Sequence, residues 1–160
     1  LVDFVELRYR YVDRQINPVD GPPYAIEKTL VEVKSGDVVF FTDPRGWTIA
    51  RLELTTDVAD TTLTVRVVEE EGLDGINRRW TFDVDGDAVT GELSLYYRNT
   101  PSENWYPELE AIGRQWRLAI TQVRDGGAQE SLDSTVNPYS NRVRAEVSLD
   151  GEHQFLLLRR

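Results

Sequence analysis

At 160 residues the chain is long enough to bury a core without covalent staples, and its formal net charge of −10 disfavours nucleic acid phosphates and anionic lipid surfaces as partners. It contains no cysteine, which excludes disulfides and thiolate metal sites. It also lacks the run of about 18 apolar residues that a membrane-spanning helix needs. One domain covering residues 1–160 is therefore expected, with no nucleic acid partner and no membrane span in the chain. With no methionine the chain is expected to be a processed or trimmed product, and its charged, alternating first residues are not expected to act as a signal peptide. Lys28 and Lys34 are the only lysines, a balance that suits a high-salt, GC-rich or hot source.

In chain order, Phe4 to Val12 alternates, with Val5, Leu7, Tyr9 and Tyr11 on one side and Glu6, Arg8 and Arg10 on the other. This predicts a strand. Asn17 to Pro23 breaks the chain with three prolines. Tyr24 to Val33 is a second strand, turned by Ser35-Gly36-Asp37 into Val38-Val39-Phe40-Phe41-Thr42, a run apolar on both faces and so expected between layers. A Pro44 turn leads to Trp47–Thr55, with Ala50, Leu52 and Leu54 on one face. Thr62 to Glu69 then places Leu63, Val65 and Val67 together.

The central stretch, Arg79 to Tyr97, holds two alternating runs around Asp85-Gly86, a strong signal for a tight type I′ hairpin. In that register Phe82 faces Val89, Trp80 lies over Gly91, and the opposite face pairs Thr81 with Thr90 and Arg79 with Glu92. Beyond it, Asn99 to Tyr106 is a loop carrying Trp105 and Tyr106. Residues 107–112 read as a short helix, with Pro107 first and Gly113 just past the end. Arg114 to Arg124 is another strand, with Trp116, Leu118 and Ile120 on one face, and Asp125 to Asn141 is a long polar loop. A second Asp-Gly hairpin, around Asp150-Gly151, closes the chain. Its register turns Phe155 and Leu157 away from the face formed by Val143, Ala145, Val147 and Leu149, so a partner or another part of the chain must cover them. About ten short strands in two sheets predict an all-β, antiparallel, jelly-roll-like β-sandwich.

Residues able to carry chemistry are few. His153 is the only histidine, and Asp150 three residues away is poorly placed to orient it in a triad. Asp83, Asp85 and Asp87 imitate the start of a calcium loop, but Ala88 and Ser94 stand where glycine and glutamate are needed, so no metal is expected. No cofactor motif occurs. The expected function is therefore a non-enzymatic structural or interaction subunit of a capsid, filament or surface assembly, extracellular or on a virion or cell surface. Its partners would be other protein subunits, self or hetero, contacted through Phe155 and Leu157. The alternative is a carbohydrate-binding module using Trp105 and Tyr106, with Tyr96, Tyr97 and Trp47 as secondary candidates. A glycan-active enzyme with paired carboxylates among the 28 acids comes third.

Overall fold

A computed structural model describes residues 7–11, 23–44, 46–97 and 115–160. The expected helix at 107–112, and Trp105 and Tyr106, lie outside these residues. Among the described residues there are ten strands: β1 (Leu7–Tyr11), β2 (Tyr24–Val33), β3 (Val38–Thr42), β4 (Thr48–Leu54), β5 (Val58–Glu69), β6 (Gly75–Tyr96), β7 (Leu118–Val123), β8 (Gln129–Ser131), β9 (Ser134–Asn137) and β10 (Arg142–Arg159). All neighbours are antiparallel. Instead of two separate sheets, the strands join in one hydrogen-bonded sheet. Its main path is β1-β2-β5-β6-β10-β7-β8; β4 joins β6 and carries β3 outside it, and β9 joins β10.

Neither Asp-Gly corner is a hairpin. β6 and β10 each run through their corner as one strand and pair with one another on both sides of it, Leu149 opposite Val89 and Gly151 opposite Val84. A type I′ turn requires positive φ at both central residues. Only the glycines have it, Gly86 at 120° and Gly151 at 71°, whereas Asp85 and Asp150 do not. Gly86 is required for a second reason. A Cβ there would sit 2.6 Å from the Asp60 carbonyl oxygen, so the corner packs against β5 more closely than any side chain allows.

The corner does reverse β6, but out of the plane of the sheet. The Arg78 guanidinium donates to the Tyr96 carbonyl at 3.4 Å, 18 residues further along the same strand. A straight strand would hold those residues roughly 59 Å apart. The two halves of β6 thus lie face to face, the first hydrogen-bonded to β5 and the second to β4.

This bend decides which side chains are inside. Before it the even residues Ile76, Trp80, Phe82 and Val84 are buried; after it the odd residues Val89, Leu93 and Leu95 are, with exposed residues 85–88 resetting the alternation. Rings join the halves: Phe41 of β3 meets Phe82 of β6 edge-on at 6.1 Å, and Phe82 meets Phe155 of β10 at 5.8 Å. Such pairs contribute about 0.5–1.5 kcal/mol each beyond the area they bury.

The expectation that Phe155 and Leu157 face a partner is corrected by the same geometry. In β10 the odd positions stay on the buried face on both sides of the corner, unlike in β6, whose corner resets the alternation. Phe155 and Leu157 accordingly share the core with Val143, Ala145, Val147 and Leu149 and are 1% and 0% exposed. Replacing Phe155 with alanine is expected to cost about 3–5 kcal/mol of stability through transfer and cavity terms. It should leave solution mass unchanged; a change in mass with an unchanged urea midpoint would restore the partner-facing assignment.

Candidate functional site

The outer face of the sheet carries a polar cleft of about 360 Å³ between β6, β10 and the turn after β7. Three of its charged groups, Arg79, Arg124 and Glu152, are held by hydrogen bonds or ion pairs. Arg79 forks onto Glu70 (Nε 3.2 Å, Nη2 2.9 and 3.0 Å) and donates to Gln154 at 2.6 Å. Gln154 in turn donates to Glu152 at 3.2 Å, and Arg124 is paired with Glu130. Guanidinium groups held this way order the surface, and the cleft contains neither a histidine nor a hydroxyl nucleophile.

His153 serves as a clip at the β10 corner. The Gln122 amide lies 2.7 Å from Nδ1, and Nε2 is 3.0 Å from the Asp150 carbonyl oxygen. The Asp150 N–H also lies 3.1 Å from Nε2, so the Asp150 main chain meets that nitrogen in either tautomer. The ring also stacks on Phe155 at 6.3 Å. Its partners are an amide and a main-chain carbonyl, not the hydroxyl and carboxylate of a triad. At the other corner, Asp87 is used internally: its side chain accepts from the Asp60 N–H at 3.3 Å and its carbonyl from the Thr61 hydroxyl at 2.6 Å. Among the described residues no group of three or more His, Cys, Asp or Glu side chains is placed to hold a metal ion.

The aromatic residues sort differently from their sequence pattern. Tyr97 is buried and belongs to the core, while Tyr96 and Trp47 are half-buried. Trp116, periodic with core residues in the sequence, sits on the 3-10 turn Gln115–Arg117 ahead of β7 and is 63% exposed. Tyr139, in the β9–β10 turn, is 97% exposed, and Asn137-Pro138 is the only sequence signal that it would sit at a turn tip.

The most informative site is β3. The sequence places it between layers, yet among the described residues it pairs with β4 alone and stands at the end of its half of the sheet. Phe41 and Val39 point into the core, while Phe40 faces outward, 42% exposed, with the Arg51 guanidinium 5.9 Å from its ring centre. Main-chain directions follow from the start of the strand. The Leu54 N–H donates to the Asp37 carbonyl at 2.9 Å, so residue 37 bonds toward β4. Antiparallel alternation then turns Val39 and Phe41 toward β4 and the N–H and C=O groups of Val38 and Phe40 toward the open edge. The five residues include no charge, proline or glycine, the devices that normally blunt an edge.

Behind β3 lies an inward-facing cation. Lys28 of β2 is 9% exposed with its ammonium 5.7 Å from the Phe41 ring centre, and burial lowers its pKa. Burial pushes the Tyr97 phenol the other way, up to about 12.

Compared with known proteins, the chain matches no family model, no curated protein and no solved structure.

The two buried groups give opposite alkaline behaviour. Folded Lys28 gives up its proton below the usual lysine value of 10.5, so its contribution makes stability rise with pH over that window. Tyr97 keeps its proton from 10 to about 12 while the unfolded chain loses it, so its contribution makes stability fall there. Relative to the unmodified chain, urea midpoints of Lys28→Met should lose the rise and those of Tyr97→Phe the fall. Parallel curves for all three proteins would refute the assignment.

Proposed function

We propose that the protein is a non-enzymatic structural or interaction subunit of a larger assembly, built on a two-layer β-sandwich into which its bent sheet folds. Other protein subunits are its partners, and an extracellular, virion or cell surface is its setting. The reading rests on β3: a strand with unblunted polar edge groups beside an exposed phenylalanine is a template for another strand. Phe155 and Leu157, buried in the chain's own core, play no part in it. The internally paired cleft and the His153 clip also support a non-catalytic role. Sedimentation equilibrium from micromolar to millimolar concentration is the test. Species heavier than the monomer are expected, and a strict monomer throughout overturns the reading.

A second reading, a carbohydrate-binding module, is favoured by Trp116, whose exposed ring offers a face for sugar stacking. Trp105 and Tyr106 are the candidates the sequence offers for the same role. Titration with a glycan panel should then change tryptophan fluorescence, with the change abolished in Trp116→Ala and Trp105→Ala; a silent panel ends this reading.

A further inference from the structure

We infer that the occupant of the β3 edge is β3 of a second copy of the same chain, paired antiparallel about a two-fold axis. This rests on the assembly reading and specifies its surface. The groups available at the edge are the N–H and C=O of Val38 and Phe40, and a strand presenting such groups at alternate residues is complementary to its own antiparallel copy.

Charge selects the register. Centring the axis on Phe40 would set Asp37 opposite the other copy's Asp43, and like charges directly opposite are destabilising. Centring it on Val39 sets Val38 opposite Phe40 in both directions, pairs the outward main-chain groups reciprocally and leaves no charged residue facing its like. Each Phe40 ring then lies between its own Arg51 and the other copy's Val38, which removes from water one of the few large apolar side chains exposed among the described residues.

The second copy is preferred over an unrelated strand because the whole contact strand is uncharged. Net charge −10 makes two copies repel one another on the whole, and an uncharged strand such as β3 adds no local repulsion of its own where they meet. An edge-to-edge contact of five residues also falls short of the roughly 1,600 Å² of a standard interface, so the dimer is weak. Salt should strengthen it, because the Debye length shrinks from about 10 Å at 0.1 M to about 3 Å at 1 M. An oppositely charged partner would show the reverse dependence.

The experiment is sedimentation equilibrium of the purified chain at 0.1 and 1 M sodium chloride, alongside Phe40→Lys and Val38→Lys, with hydrogen exchange of the β3 amides. Both variants change outward-facing side chains, and thermal melts check that they fold. A dimer favoured by salt is expected, with Val38 and Phe40 amides protected on association and affinity at least about tenfold weaker in either lysine variant. Association that survives unchanged in both folded variants overturns the β3 assignment while leaving the assembly reading intact. A monomeric wild-type chain at both salt concentrations overturns both, and a dimer weakened by salt overturns the choice of a second copy held at an uncharged strand.

Discussion

The fold depends on two strands bending at the same place. β6 and β10 are hydrogen-bonded neighbours, so neither can turn out of the sheet unless the other turns with it. Gly86 in β6 and Gly151 in β10 supply the positive φ, one on each strand of that shared corner. One bend thereby sets β5 and β7 on one half and β4 and β9 on the other, and the aromatic contacts of Phe41, Phe82 and Phe155 follow from it. Loop closure is expensive when a core is assembled from distant segments. Two continuous strands crossing both halves make the halves neighbours through backbone that is already ordered.

Gly91 and Gly75 show how closely the rest packs on these strands. A Cβ on Gly91 would lie 2.3 Å from the Glu53 carbonyl oxygen of β4, and one on Gly75 would lie 2.1 Å from that of Leu157. The sequence explains Gly91 as a bare position covered by Trp80 across a hairpin. In the structure the glycine is bare because β4 approaches it, and Trp80 instead stands opposite Phe155 of β10. A glycine marks crowding, but the chain alone does not name the neighbour that crowds it.

That distinction explains what was legible. Alternation located β2, β4, β5 and both arms of β6 and β10, because a half-buried strand imposes its period directly on the residues. The Asp-Gly pairs marked where the chain must depart from a straight strand. They did not tell a hairpin from a paired bend, since the two differ in a single φ, that of the aspartate, and in which strand lies alongside. The error passed to Phe155 and Leu157, because the facing of residues beyond a corner depends on how many residues the corner takes out of the alternation, which differs between β6 and β10. Val38 to Thr42 misled for a related reason. An apolar run reads as buried on both faces, but Val38 and Phe40 lie on the outer face of the sheet, over which no described residue forms a second layer that buries Phe40. Trp116 matched the period of Leu118 and Ile120 yet lies on a 3-10 turn, where a period of two no longer predicts direction.

The charge layout sharpens the contrast between β3 and the strands beside it. Across β4, β6 and β10 the outward residues Glu53, Glu92 and Glu146 stand in register, a row of like charges that is unfavourable alone. Arg51 lies 3.3 Å from Glu53 and Arg144 lies 3.6 Å from Glu92, so cations from the next row offset it. Partly exposed pairs of this kind contribute little to stability. Their stronger effect is on association, since a surface of alternating charge holds water and resists a second sheet stacked on it. β3 continues the same rows, but with Val38 and Phe40 where the inner strands carry Glu53 and Arg51. The pattern that protects the sheet stops one strand short of its edge, and there an incoming strand meets main-chain polar groups and a ring instead of ions.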